Sequence, residues 1–232
     1  MAGFTDKFSV RVKKEIEKIK NLKGFKNKCS YIWEYYKLYF LGIALAIFCV
    51  VSISSQIKAN NYNTALCVSF INCTTVDLRD NKKILEDLTT QWLELDGVDN
   101  RVSIDGYYSI NPNEYNEMTY TSQYKLMAQV AAVSHDCYLS DELFITAYSE
   151  AEFFYDLEDL LPAKLLNEVS DRLLYYKDVN GDMQAYAIDL TGYPIIDTLI
   201  FSIEKPVFSV VANAPHTDAI ITFLTEFINY NN

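Results

Sequence analysis

The sequence predicts an α/β domain that follows an N-terminal single transmembrane helix, and three patterns lead to this fold class. An uncharged apolar run, Leu38–Ile57, comes before the domain. Three strand-like segments then alternate with helix-like segments. Further strand-like segments flank Asn180-Gly181, a dipeptide typical of hairpin turns. Because successive strand–helix units form parallel sheets with right-handed crossovers, we expect a mostly parallel sheet with a β-hairpin addition.

The uncharged run is long enough to cross a membrane. Its 20 residues span about 30 Å at the rise of an α-helix, the thickness of a hydrocarbon core. Trp33, Tyr36 and Tyr39 lie at its start, where aromatic rings favour the headgroup zone. A cleaved signal peptide is the weaker alternative, because 37 residues make a long basic region before the apolar one.

The charge of the chain orients this helix. The formal net charge is −11, but residues 1–37 contain 10 Lys+Arg against 4 Asp+Glu, so they carry +6 and residues 38–232 carry −17. Because positive flanks stay inside, the N-terminus is predicted to be cytoplasmic. The acidic remainder argues against nucleic acid as a partner, since phosphate contacts need clustered Lys and Arg.

Four segments follow from these observations. They are a basic cytoplasmic segment (1–37), the transmembrane helix (38–57), a polar stalk (58–64) and an extracellular domain (65–232). The predicted location is therefore the cell membrane, spanned once, with the C-terminal domain outside.

The first half of the domain alternates strands and helices. The predicted elements are a buried strand Ala65–Ile71, a helix that Asp80 caps and Gly97 ends, a strand Arg101–Ile110, a helix over 117–134, a short strand Cys137–Leu139 and a helix over 141–150. Ile84, Leu88, Trp92 and Leu95 share one face of the first helix. Tyr120, Tyr124, Met127 and Ala131 form a stripe on the second, which indicates either core packing or stacking on a ligand.

The second half is predicted to be antiparallel. Leu173–Val179 and Asp182–Ile188 flank Asn180-Gly181, which predicts a two-residue type I′ turn. Pro206–Val211 is a further strand, and a helix over 217–229 closes the domain.

Several short motifs of the domain resemble one family. They are Asp141-Glu142-Leu143-Phe144, the run Phe153–Pro162 (FFYDLEDLLP), Tyr186–Leu190 (YAIDL) and Pro206–Asn213 (PVFSVVAN). Together they resemble extracellular solute-binding proteins over roughly 65–230. Tyr31–Phe40 (YIWEYYKLYF) before a single span resembles membrane-anchored proteins of Gram-positive bacteria that carry such a domain.

The resemblance implies a periplasmic-binding-protein-like lobe that binds a small solute such as a sugar or peptide without catalysis. Solute-binding proteins usually have two full lobes, whereas this domain supplies one lobe and a remnant of another. The alternative is therefore a structural or accessory subunit that docks on another membrane protein and has a degenerate ligand cleft.

A candidate site follows from sheet topology. In open α/β sheets, ligands bind outside the carboxyl ends of the strands. The residues that follow the predicted strands are the candidate ligand-binding residues: Asn72, Thr74, Tyr107, Tyr108, Ser140, Asp141 and Asn213.

Catalytic, metal and cofactor sites are not predicted. His135 and His216 are interpreted as structural or exposed, and the sequence contains no nucleotide-binding glycine motif. Asp178–Asp189 superficially resembles a calcium loop, but Met183 stands where such a loop needs glycine. Cys67 and Cys137 are interpreted as small buried hydrophobic residues, with a disulfide between them left open.

Overall fold

The computed structural model describes residues 13–14, 16–21, 24–60, 62–73, 78–111, 113–114, 116–199, 203 and 205–230, without the side chains of residues 25, 35, 58–60, 78–80 and 107. The chain divides into two compact units, Met1–Asn61 and Tyr62–Asn232.

The first unit contains a long helix, α1 (Phe25–Asn60). Its segment Tyr36–Ile57 comprises 22 residues with a mean hydropathy of 2.3, none of them buried, and is long and apolar enough to cross a membrane. The predicted bounds 38–57 fall inside this segment. The description of the span as N-terminal is wrong, because the apolar segment begins only at Tyr36 and α1 itself begins earlier, at Phe25.

The second unit is a mixed α/β domain around a six-stranded sheet of order β2-β1-β3-β6-β5-β4. The strands are β1 (Asn63–Ile71), β2 (Asn100–Tyr108), β3 (Cys137–Ser140), β4 (Leu173–Lys177), β5 (Met183–Asp189) and β6 (Val207–Val210). The helices are α2 (Leu78–Trp92), α3 (Glu117–Ala131), α4 (Glu142–Tyr148), α5 (Leu157–Leu160), α6 (Ala163–Val169), α7 (Pro194–Thr198) and α8 (Thr217–Ile228).

The alternating half forms as predicted. β1 pairs in parallel with β2 on one side and with β3 on the other. The connection through α2 runs from β1 outward to β2, and the connection through α3 runs back from β2 past β1 to β3, so the strand order reverses between β1 and β3. One apolar cluster contains Leu66, Val68 and Phe70 of β1 with Phe223 of α8; a second contains Leu126 of α3 and Phe144 of α4.

The other half is antiparallel. β6 pairs antiparallel with β3, β5 with β6, and β4 with β5. Four of the six strands in the described sheet (β1, β2, β3 and β5) point the same way, so the sheet is mostly parallel in direction, as predicted. The hairpin is attached through β6, and not directly to the parallel strands.

The hairpin turn differs from the predicted type. Gly181 N–H donates to the carbonyl of Asp178 at 3.1 Å, and Asp178 N–H donates to the carbonyl of Asp182 at 2.9 Å. Gly181 has φ +87°, whereas Asn180 is not among the described residues with positive φ. This is a three-residue loop, a type I turn followed by a left-handed glycine, so the two-residue type I′ prediction is wrong. The Asp178 side chain stabilises this three-residue loop, because its Oδ1 accepts the N–H groups of Asn180 and Asp182.

The α3 helix presents a different face to the core from the one that its aromatic stripe indicates. In α3 the stripe of Tyr120, Tyr124 and Met127 is exposed, with 47%, 78% and 40% of each side chain accessible. The buried residues of α3 are Thr119, Ser122 and Leu126. The reason is local, because the Ser122 hydroxyl accepts the N–H of Ser109 and holds this side of the helix against the end of β2. In the predicted face of α2, Leu88 and Trp92 pack against the core, as does Leu95 just after the helix, while Ile84 is 37% exposed. The fully buried residues of α2 are Asn81, Leu85 and Thr89.

Candidate functional site

The carboxyl ends of β1, β2 and β3 meet at one edge of the sheet, where the strand order reverses, and a cavity of about 390 Å³ lies there. It is lined by Asn72, Cys73, Tyr108, Ser109, Asn111, Glu114, Met118, Asp141 and Leu143. Every lining residue follows or ends one of these three strands, or begins the helix after it. The cavity is therefore a direct product of the parallel half of the fold.

Asn72 ties the three strand ends together. Its backbone N–H donates to the carbonyl of Tyr108 at 2.8 Å, and its side-chain oxygen accepts the N–H of Ile110 at 2.6 Å. Its Nδ2 donates to the Ile110 carbonyl at 2.8 Å and to the Asp141 carboxylate at 3.0 and 3.1 Å. Asn72 has φ +59°, a left-handed conformation that asparagine tolerates better than most residues. One residue therefore links β1 to the ends of β2 and β3.

Asp141 is the cap of α4 as well as a wall of the cavity. Its Oδ1 accepts the N–H of Phe144 at 3.0 Å in addition to the amide of Asn72. The carboxylate is thus fixed by two neutral donors from different elements. Glu114, on the loop after β2, supplies a second carboxylate, whose Oε2 accepts Asn116 Nδ2 at 3.1 Å.

The remaining wall is largely apolar. It consists of Tyr108, Cys73, Met118 and Leu143. Burial, reinforced by the charge of Asp141, raises the pKa of the Cys73 thiol to about 12. Cys73 therefore carries a neutral thiol near neutral pH and contributes to the cavity as an apolar group.

The structure brings three of the predicted site residues together at this cavity: Asn72, Tyr108 and Asp141. Ser140 is fully buried just before Asp141, and its Oγ donates to the Asp141 carbonyl at 3.3 Å. Thr74 and the side chain of Tyr107 lie outside the described residues.

The expectation that Asn213 joins this edge is wrong. β6 runs antiparallel to β3, with Val210 opposite Cys137, so the carboxyl end of β6 lies at the other edge of the sheet. There Asn213 Nδ2 donates to the carbonyl of Val130 at 2.9 Å.

Sequence reasoning missed Glu114 and Met118. Glu114 lies in the segment between β2 and α3, and Met118 lies in the first turn of α3, whereas in this part of the chain only residues at the end of β2 were predicted to bind a ligand. Both residues are identified when every residue from the end of β2 to the first turn of α3 is considered, and not only the residues at the strand end.

A buried polar network holds Tyr108 in place. The register of β1 with β2 shifts between the pairs Ser69–Asp105 and Ile71–Tyr108, leaving one extra residue in β2. At this bulge the Tyr108 hydroxyl donates to Asp105 Oδ2 at 2.6 Å and also contacts Gln129 Oε1. Burial acts to raise the pKa of Asp105, but hydrogen bonds from Tyr108 and Lys125 hold it below its usual value.

His135 completes this network as a neutral ring. Its Nε2 lies 3.4 Å from the Tyr108 hydroxyl and its Nδ1 3.2 Å from the Tyr138 hydroxyl. Only 1% of His135 is exposed. Burial, the main cause, lowers its pKa to about 4. Of the two predicted roles, structural or exposed, the structure therefore supports the structural one, with the imidazole buried.

An aspartate–histidine pair occupies the opposite edge of the sheet. The buried Asp136 carboxylate accepts the N–H groups of Cys67 at 2.7 Å and His216 at 3.0 Å, and lies 3.0 Å from His216 Nδ1. These contacts fasten α8 to β1 and β3. Cys67 and Cys137 are buried free thiols on these strands, so the structure contains no bridge between them.

Neither a protein-family model, a curated protein nor a solved structure gave a significant match to this chain. Among the residues that the structure describes, no group of three or more His, Cys, Asp or Glu side chains is arranged to hold a metal ion. The fold and the site define a class of protein, namely a mixed α/β domain with an acidic, partly apolar cavity where the strand order of its sheet reverses.

Two replacements of Asn72 are expected to show how much of its contribution to the unfolding free energy comes from hydrogen bonding and how much from backbone conformation. Asn72→Ala loses the four side-chain hydrogen bonds and forces a Cβ-bearing residue without a polar side chain into a left-handed conformation, which should lower the unfolding free energy by about 3 kcal/mol. Asn72→Gly loses the same bonds without the strain and should cost about 1 kcal/mol less than Ala. Chemical denaturation of both variants measures the difference. Equal costs would show that the left-handed backbone is not strained.

The buried His135 is expected to make stability depend on pH. Its folded pKa of about 4 lies below the ordinary 6.5. The unfolded chain therefore binds the proton first, so the stabilisation is full above about pH 6.5 and is lost as the pH falls towards 4. Between pH 7 and pH 5 the loss should be roughly 2 kcal/mol. His135→Gln should lack this part of the pH dependence when denaturation is measured at both pH values; an unchanged dependence would contradict the assignment.

Proposed function

We propose that this chain is a single-pass membrane protein whose C-terminal domain lies outside the membrane and binds a small ligand, without catalysis, in the cavity at the ends of β1, β2 and β3. The observation that carries the proposal is the position of that cavity at the reversal of strand order, the usual ligand position in open α/β sheets. The resemblance to solute-binding proteins stays a prediction beside it.

The size and fixed geometry of the cavity support a binding role. Its volume of about 390 Å³ falls within the range of small-molecule sites, roughly 300–1,000 Å³. Asn72 and Asp141 are held by bonds from three elements, so the polar part of the wall is formed before a ligand arrives. Such preorganisation lowers the entropic cost of binding.

The side-chain chemistry supports binding without catalysis. Cys73, a potential nucleophile at the wall, has its thiol pKa raised to about 12 and is not activated. Burial, followed by the hydrogen bond to Asp105, raises the pKa of Tyr108 as well, so its phenol stays protonated.

The basic residues before the apolar helix support the proposed orientation, since lysine-rich flanks favour the cytoplasmic side. Cys29 precedes the span and is exposed, and Val179 is 58% exposed on the hairpin, so the two positions can report on the two sides.

Labelling with a membrane-impermeant maleimide is expected to reveal this orientation. In intact cells a Val179→Cys variant that also carries Cys29→Ser should be labelled, because the hairpin lies outside. The unmodified chain, with Cys29 as its exposed thiol before the span, should be labelled at Cys29 only after permeabilisation. The reverse pattern would overturn the predicted topology.

A second candidate function is an accessory subunit of a membrane complex. The exposed stripe of Tyr120, Tyr124 and Met127 on α3 favours it, because aromatic and methionine side chains are enriched at protein interfaces. In this alternative the stripe contacts another membrane protein and the cavity stays empty.

A ligand panel distinguishes the two functions. We expect a sugar, peptide, amino acid or amine to raise the melting temperature of the full chain in non-ionic detergent by roughly 5–10 °C at about 100 times its Kd. Met118→Trp should abolish the shift in melting temperature. Met118 lies at the cavity wall and is 68% exposed, so the larger tryptophan side chain can be accommodated there and would obstruct the cavity. Val179→Trp, on the distant hairpin, is the matched control. If no compound shifts the wild-type melting temperature, the accessory-subunit function is favoured.

A further inference from the structure

The charged groups at the cavity are all of one sign. Asp141 and Glu114 line it, and none of the described lining residues is Lys or Arg. Lys125 lies near, but it is paired with Asp105 at 3.0 Å and stands 4.3 Å from the centre of the Tyr108 ring. The wall therefore presents two carboxylates without a matching cation.

The partners of these two carboxylates are neutral. Asp141 accepts from the Asn72 amide and from the backbone of Phe144, while Glu114 accepts from the Asn116 amide. Amide donors orient a carboxylate but leave its charge in place. Because the cavity is partly enclosed by apolar side chains, that charge is screened less than in open water.

An anionic ligand is disfavoured by the same arrangement. The N-terminus of α4, which would attract an anion, is already capped by Asp141 through the N–H of Phe144. The N-terminus of α3 is capped by Asn116 through the N–H of Thr119 and carries Glu117 in its first turn. Both helix ends near the cavity thus have their own acceptors.

The wall also offers apolar surface to the body of a ligand. Tyr108, Met118, Leu143 and the neutral Cys73 thiol line the cavity together with the polar groups of Asn72 and Asp141. We propose that the cavity selects a small organic cation, an ammonium group on an apolar body, an inference that rests on the ligand-binding function proposed above. The net charge of −17 over residues 38–232 also attracts cations towards the domain.

Three probes of similar shape and different charge test this selection: phenethylammonium, 2-phenylethanol and phenylacetate. Binding to the full chain in non-ionic detergent is measured by calorimetric titration at low and high salt. Phenethylammonium should bind about tenfold or more tightly than phenylacetate, with the alcohol between them. Its advantage should shrink at high salt.

Two variants that each remove one negative charge test whether the preference for the cationic probe arises at the cavity. Glu114→Gln changes an exposed loop residue and should weaken phenethylammonium roughly two- to fivefold while leaving the alcohol unchanged. Glu226→Gln, an exposed residue on α8 with the same change of charge, is the control and should leave both constants unchanged.

The outcomes separate this inference from the function on which it rests. Equal affinity for the three probes, or tighter binding of the alcohol or the acid, would overturn cation selection while a ligand site remained. An effect of Glu114→Gln no larger than that of Glu226→Gln would also overturn it. Binding of none of the probes refutes cation selection as well, and the ligand panel then decides whether the binding function also fails.

Discussion

The side-chain amide of Asn72 is the contact on which the candidate site depends. Its oxygen and its Nδ2 group both bond the backbone of Ile110, and Nδ2 also bonds Asp141. Ile110 follows β2, Asp141 follows β3, and Asn72 itself follows β1. Parallel strands are joined by long connections rather than tight turns, and this amide adds to the backbone pairing of β1 with β2 and β3 a side-chain link between all three strand ends. A left-handed asparagine performs this task and leaves room for a cavity beside it.

Much of the parallel half could be predicted because its signals are local. Hydrophobic runs of strand length alternate with helical periodicity, and the carboxyl ends of parallel strands must share an edge. That rule alone named Asn72, Tyr108 and Asp141. The direction of β6 could not be predicted in the same way. Val207–Val210 is an apolar run buried on both faces, and such a run fits a parallel or an antiparallel neighbour equally well. The misplacement of Asn213 follows from this ambiguity.

The orientation of α3 escaped prediction for a different reason. A stripe of Tyr120, Tyr124 and Met127 has the spacing of a buried face, yet the helix buries Thr119, Ser122 and Leu126. The Ser122 hydroxyl bonds the backbone of Ser109, and the Asn116 cap fixes the first turn. Which face of an amphipathic helix is buried depends on such partners, and hydrophobicity alone does not show them.

The bulge in β2 has a consequence for the behaviour of the protein at high concentration. β2 is an edge strand of the sheet, and a long regular edge invites a second chain to add a strand and begin aggregation. The extra residue between Asp105 and Tyr108 interrupts the ladder, and Asp105 with its partner Lys125 places charges at the interruption. The irregularity at which Tyr108 contacts Asp105 thereby also protects the chain against edge-to-edge association.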